Sequence, residues 1–92
     1  MHYEYIPEKV CSKKIEFDIV DNKIKNLKYT GGCNGNLKAI SKLVENMEIQ
    51  DIIDRCKGVK CREKETSCID QLVKALEEIK LKETLFFLSK IR

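Results

Sequence analysis

The amino-acid sequence predicts an α+β domain, in which an antiparallel sheet of about three strands packs against two or three helices. Segments of alternating hydrophobicity fill the first third of the chain, and segments of helical periodicity fill most of the rest. A length of 92 residues suits one domain, and such a short chain buries only a modest core. A bound metal would therefore add to its stability.

Three strands are expected in the first third of the chain. Residues 14–20 alternate between apolar and charged side chains, which is typical of a half-buried strand. Residues 21–23 offer a turn, since Asp21 and Asn22 tolerate the left-handed region. Residues 24–30 then return as the next strand, and residues 2–6 are a candidate edge strand that Pro7 ends.

The apolar side chains of the returning strand change parity. Leu27 and Tyr29 share one face, whereas Ile24 belongs to the other. Since a strand with one buried face keeps a single parity, we expect an irregular hairpin end or a bulge here.

Helical periodicity predicts three helices in the remainder. The first follows Asn36 as its N-cap and reaches Met47. The second carries residues 49–56, has Lys57 in its last turn and is ended by Gly58. The third begins at Ser67, because Ser67 and Asp70 have the spacing of a capping box. We interpret Asp70 as a helix-capping acid rather than a general base.

The charge pattern argues against binding to nucleic acid or to a membrane. Eighteen basic and 15 acidic residues give a net charge of +3, and the basic residues form no long run. Aromatic residues are not interleaved with a basic stripe, and no apolar run is long enough to span a bilayer. The first residues lack a signal-peptide pattern, so we expect a cytoplasmic protein.

The chain contains five cysteines, a high number for a reducing compartment in which structural disulfides are rare. The odd count also argues against a fully paired disulfide framework. Metal binding or thiol chemistry explains them better. Cys56 lies on the apolar stripe of the second helix, where we expect it to pack in the core as a small hydrophobe.

The other four cysteines lie at the ends of predicted elements, where a scaffold presents functional side chains. They are Cys11, Cys33, Cys61 and Cys68. We expect them to converge in one metal site, with zinc as the first choice and an iron–sulfur cluster as the second. Cys68 opens the third helix, where backbone N–H groups favour the thiolate. By spacing alone, four ordinary thiols are an alternative, because no Cys-x-x-Cys occurs.

Two further features have competing interpretations. Residues 31–36 are rich in glycine, which either forms only a tight turn or lets the backbone approach a metal or an anion. His2 is the single histidine, and we assign it no role. Without it no Ser-His-Asp set is available, so this type of catalysis is not expected.

Three segments together resemble a known family. They are residues 31–36, 58–61 and 66–72. Their cysteine contexts resemble, in order and spacing, the small stand-alone proteins of the TSCPD-domain family, which have four characteristic cysteines. Ile69 stands where the family has Pro, a change that removes no ligand. The resemblance covers about residues 3–80, so we expect a single domain over 1–92 with 81–92 as an extension. This apolar extension continues the last helix, packs back on the sheet or docks on another subunit.

The resemblance also implies a context for the chain. Similar domains occur at the C-terminus of adenosylcobalamin-dependent ribonucleoside-diphosphate reductases, which take part in deoxyribonucleotide synthesis. A chain of 92 residues cannot build the barrel and cobalamin site of such an enzyme, so we expect no catalysis by it alone. The alternative to a metal-binding module is an accessory or redox module that uses Cys61 and Cys68. A protein partner or a homodimer is expected in either case.

The order of the elements also resembles the iron–sulfur scaffold proteins of the NifU/IscU type. In that comparison Cys33 and Cys68 fall at two of the ligand positions. An iron–sulfur scaffold or carrier is therefore a third hypothesis, although likeness of architecture is weak evidence for function.

Overall fold

The computed structural model of the protein describes residues 2–32, 34–60 and 65–90, with the backbone alone at residue 34 and over residues 83–90. The described residues form a three-strand antiparallel sheet and three helices, which confirms the predicted α+β fold. The strands are β1 (His2–Tyr5), β2 (Ser12–Val20) and β3 (Lys23–Gly31), in that order across the sheet. The helices are α1 (Asn34–Val44), α2 (Ile49–Cys56) and α3 (Cys68–Lys90).

A turn joins β2 to β3 where the sequence predicts one, but it has two residues, because Lys23 belongs to β3 rather than to the turn. Asp21 and Asn22 have φ values of 52° and 63°, and Val20 pairs with Lys23 across them. Positive φ at both central residues is a feature of the type I′ turn, whose twist matches that of a hairpin. Asp and Asn adopt this region more readily than other residues because their short polar side chains hydrogen-bond locally.

A bulge produces the change of parity in β3. The register of β2 against β3 shifts between Glu16 and Asp18, and Asn26 lies opposite this shift with a φ of 56°. The Asn26 side chain donates a hydrogen bond to Asp18 Oδ2 at 3.0 Å. With the additional residue in β3, Ile24 and Leu27 are both buried. The predicted irregularity is therefore confirmed.

The hydrophobic core lies between the sheet and the helices. β2 contributes the fully buried Ile15 and Phe17, as its alternation predicts, and α3 contributes the fully buried Leu72 and Leu76. Cys56 is half-buried and packs against this core, which confirms its predicted role as a small hydrophobe.

The first helix begins and ends earlier than predicted. α1 begins at Asn34 rather than after Asn36, and it ends at Val44 instead of reaching Met47. The carbonyl of Met47 accepts a hydrogen bond from the Ile24 N–H at 3.0 Å, so the backbone after the helix pairs with the edge of β3. This pairing satisfies backbone groups that a longer helix would leave on an open sheet edge.

The last helix begins as predicted. Ser67 is its N-cap, because the Ser67 carbonyl accepts from the Gln71 N–H and the Ser67 hydroxyl accepts from the Asp70 N–H at 3.1 Å. Of the three alternatives for residues 81–92, the backbone follows the first and remains helical to Lys90. In the described part of the chain, no helix is both long and apolar enough to cross a membrane.

Candidate functional site

Two of the four predicted site cysteines meet where the start of β2 approaches the start of α3. Cys11 Sγ lies 4.0 Å from Cys68 Sγ, and Cys68 Sγ lies 3.2 Å from the Ser12 hydroxyl. Cys11 is exposed, Cys68 is half-buried, and both are thiols rather than halves of a disulfide. The pair is therefore open to solvent on one side and held by α3 on the other.

Gly32 lets the backbone approach this pair. Its φ is +83°, and a Cβ built on it would lie 3.0 Å from Cys11 Sγ and 2.9 Å from Leu37 Cδ1. Both distances are shorter than ordinary van der Waals contact, so a side chain at this position would displace the thiol or the helix. The glycine loop has two interpretations, a tight turn or a close approach of the backbone to a functional group. At Gly32 the geometry favours the close approach.

A cavity of about 220 Å³ adjoins the two thiols. Its lining includes Val10, Cys11, Leu37, Lys60 and Cys68. It joins the loop before β2, the first turns of α1 and α3, and the segment that follows α2.

Cys33 and Cys61 lie outside the described residues. The residues that directly precede them are described. Cys33 follows Gly32, whose added Cβ would lie 3.0 Å from Cys11 Sγ, and Cys61 follows Lys60, which lines the cavity. The structure therefore brings together Cys11 and Cys68 and describes the residue that precedes each of the other two.

Tyr29 is a part of the site that the sequence did not reveal. Its hydroxyl donates a hydrogen bond to the Cys68 carbonyl at 3.0 Å, which ties the middle of the hairpin to the first residue of α3. Burial raises the pKa of Tyr29, and the neighbouring Cys68 and Cys56 side chains raise it further. The hydroxyl therefore stays protonated at neutral pH and acts as a permanent donor.

One family model matches the sequence of this chain. The match is to the TSCPD domain and covers residues 1–80 of the 92. The chain belongs to the TSCPD domain family. No curated protein matches it, and no solved structure does. The match includes all four predicted site cysteines.

The motif that gives the TSCPD family its name occurs here as Thr66, Ser67, Cys68, Ile69 and Asp70. The Asp70 carboxylate accepts hydrogen bonds from the Gly58 N–H at 2.7 Å and from the Thr66 hydroxyl. Burial raises the pKa of Asp70, but these two hydrogen bonds and nearby lysines outweigh it and lower the pKa overall. The side chain thus ties the end of α2 to the start of α3, a different role from the helix-capping acid that the sequence predicts.

Ser67 and Gln71 extend this set of hydrogen bonds to the other segments of the site. The Ser67 hydroxyl donates to the Val59 carbonyl at 2.6 Å. The Gln71 amide donates to Thr66 Oγ1 at 3.1 Å and accepts from the Glu8 N–H at 3.0 Å. All of these side chains are buried, so the bonds form in a low dielectric and position the backbone on both sides of the thiols.

His2 lies on the sheet, away from the cysteine motif in the chain. Its Nδ1 is 2.8 Å from Asp18 Oδ1, and its Nε2 is 3.9 Å and 4.0 Å from carboxylate oxygens of Glu4 and Glu16. Among the described residues, His2, Glu4 and Glu16 are the one group of three side chains whose ligand atoms gather closely. We assign no site to it, because exposed acidic groups commonly gather without an ion.

Proposed function

We propose that this TSCPD domain binds one metal ion, zinc before any other, through the thiolates of Cys11, Cys33, Cys61 and Cys68. The separation of 4.0 Å between Cys11 Sγ and Cys68 Sγ carries the proposal. In a tetrahedral zinc site with Zn–S bonds of about 2.3 Å, two sulfur atoms are about 3.8 Å apart. A disulfide would need about 2.05 Å. The two thiols are therefore spaced as two ligands of a single ion.

The covalent chain supports the other two ligands. In the chain, Cys33 directly follows Gly32 and Cys61 directly follows Lys60, which lines the cavity beside the Cys11 and Cys68 thiols. Gly32 removes the side chain that would stand between the loop and Cys11 Sγ. The Ser12 hydroxyl, 3.2 Å from Cys68 Sγ, is a donor that would orient a ligating thiolate.

Four thiolates would make a closed structural site without an open position for substrate. Such a site suits a small domain, since metal binding to the folded state contributes directly to folding free energy. Because each thiol must lose its proton to bind, affinity for the metal should fall as the pH falls. The proposal therefore includes no catalysis by this chain alone, and it takes residues 81–92 as an extension outside the domain.

Metal per chain, measured by elemental analysis on full-length protein purified without added metal, tests the proposal. We expect one zinc ion per chain in the wild type and in the control variant Cys56→Ser. Cys56 is a suitable control because its side chain packs against the core in the wild type. Cys11→Ser and Cys68→Ser should each weaken binding strongly, and the variant with all four site cysteines changed to Ser should bind none. Metal retained by that fourfold variant would overturn the proposal.

Two alternatives use the same thiols and give different results in one anaerobic purification. An iron–sulfur cluster would give a coloured protein that contains iron and sulfide. A redox accessory of ribonucleotide reduction would give a reversible disulfide and no stoichiometric metal. The sequence suggests the Cys61–Cys68 pair for that disulfide. The 4.0 Å separation between Cys11 Sγ and Cys68 Sγ makes Cys11–Cys68 a second candidate pair. All three functions are compatible with a reducing compartment such as the cytoplasm. All three are also compatible with binding to a protein partner or to a second copy of the chain.

A further inference from the structure

A second and larger cavity, of about 600 Å³, forms a groove between β3 and α1. Its floor is apolar, because Leu27 and Leu37 are buried and Tyr29 is half-buried. Pockets that bind small organic molecules have volumes of roughly 300–1,000 Å³. The groove is therefore large enough for such a ligand.

Three lysines are among the described residues that line this groove, and none of those residues carries a carboxylate. Lys38 and Lys42 are four residues apart on α1, so they share one face of the helix, and neither forms an ion pair with a described residue. Lys28 lies on β3 directly opposite Glu16, on the face of the sheet away from Leu27 and Tyr29. The α1 wall of the groove thus presents two positive charges that no described carboxylate pairs with.

The sequence keeps acidic residues out of the two elements that build the groove. Residues 22–44 contain five lysines and no Asp or Glu, although the chain has 15 acidic residues in 92. β3 and α1 are the two elements of the described fold without an acidic side chain. Elsewhere the lysines alternate with acids, as expected of a solvated surface. Chance placement of the charges would put several acids in a segment of this length.

We propose that the groove binds a small phosphate ester, with its phosphate at Lys38 and Lys42 and its apolar part on Leu27 and Leu37. Lysine is a mobile point charge that binds phosphate without a fixed geometry, which suits two ammonium groups on one helix face. The apolar floor favours an organic ester over inorganic phosphate, because only the ester buries apolar surface there.

The groove adjoins the cysteine site without being part of it. Leu37 lines both cavities, and Gly32 lines the groove and would place an added Cβ 3.0 Å from Cys11 Sγ. A ligand in the groove would therefore lie near the thiols. The groove lysines are not among the described residues that line the cavity at the thiols, so this proposal holds whether or not the cysteines bind zinc.

Titration of the full-length, isotopically labelled protein with phenyl phosphate, followed by NMR, tests the proposal. We expect saturable shifts that centre on residues 27–32 and 37–42. Inorganic phosphate should bind about tenfold more weakly because it lacks the ring, and benzoate should bind about tenfold more weakly because it lacks the second negative charge. The double variant Lys38→Gln/Lys42→Gln should lose about tenfold in affinity, and glutamine preserves helix propensity.

The matched control is Lys74→Gln/Lys82→Gln, which removes the same charge from exposed positions of α3. It should bind phenyl phosphate like the wild type. If both double variants lost the same affinity for phenyl phosphate, net charge alone would explain the effect and the proposal would be overturned. Shifts spread over the whole surface, a lack of saturation, or equal binding of benzoate would overturn it as well.

Discussion

The Sγ atoms of Cys11 and Cys68 lie 4.0 Å apart, although 57 residues separate them in the sequence. The hairpin, α1 and α2 all lie between them in the chain, so the contact exists only in the folded protein. A ligand that holds both thiols therefore binds the folded state far better than the unfolded chain. Binding at this point should consequently act on the stability of the whole domain.

Removal of the proposed metal should lower the melting temperature. A ligand that binds only the folded state contributes about 2.7 kcal/mol when its concentration is about 100 times its Kd. In a domain of this size each kcal/mol shifts the Tm by about 4–8 °C, so a strong chelator should lower the Tm by about 10–20 °C. Melting followed by circular dichroism measures this, and added zinc should restore the Tm.

The Cys56→Ser variant should show the same response to chelator and zinc as the wild type. The variant with Cys11, Cys33, Cys61 and Cys68 all changed to Ser should melt at one temperature under both conditions. A wild-type Tm that stays the same with chelator and with added zinc would contradict the prediction.

Replacing Gly32 by Ala should destabilise the fold by about 1–3 kcal/mol. The new Cβ would meet Leu37 and Cys11, and Ala is strained at a φ of +83°. Urea unfolding measures the change. Gly35→Ala is the matched control, because its added Cβ would meet no described atom within 4 Å beyond its chain neighbours and the backbone of its own helix. Gly35 lies in α1, where Ala is the better helix former, so this variant should be unchanged or slightly more stable. Equal effects in the two variants would count against the close approach at Gly32.

The fold was largely predictable because its signals are local. Alternation in β2, the Asp21–Asn22 turn and the cap at Ser67 each depend on residues a few positions apart. The early end of α1 was missed because it depends on pairing between Met47 and Ile24, which a helical period does not encode.

The site was less predictable for the same reason. Tyr29 and Cys68 are 39 residues apart, and Gln71 and Glu8 are 63 apart, so no spacing rule connects them. Element ends and the resemblance to the TSCPD family placed Cys11 with Cys68, whereas the cysteine spacing alone did not. Hydrogen bonds that position a site backbone come from tertiary packing, and a single sequence carries little trace of them.

Ser67→Ala should cost about 1–3 kcal/mol of unfolding free energy. The change removes the N-cap of α3, worth about 1 kcal/mol, and leaves the Val59 carbonyl without its 2.6 Å donor. Chemical denaturation at neutral pH measures it. Ser41→Ala is the control, since the Ser41 hydroxyl bonds only to the Leu37 carbonyl within α1 and Ala suits a helix interior. That variant should stay within about 0.5 kcal/mol of the wild type. A similar loss in both would show that Ser67 has no special role.

Asp70→Asn should change how stability depends on pH. Hydrogen bonds to the carboxylate lower the pKa of Asp70 below its ordinary value of 3.8 in the folded state. A carboxyl with a depressed folded pKa contributes stability that is fully present above its unfolded pKa and is lost as the pH falls through the folded pKa. The wild type should therefore lose stability on acidification below about pH 5, and part of that loss should be absent in Asp70→Asn.

At neutral pH the Asp70→Asn variant should be less stable than the wild type by about 1–3 kcal/mol. The neutral amide oxygen accepts a weaker hydrogen bond from the Gly58 N–H, and the amide must form a different hydrogen bond with Thr66. Unfolding free energies from urea titrations between pH 7 and pH 3 give both quantities. Asp54→Asn removes the same charge from an exposed position of α2 and should keep the wild-type pH profile. If the wild type and Asp70→Asn lose stability in parallel over this range, the hydrogen bonds to Asp70 do not depend on its charge.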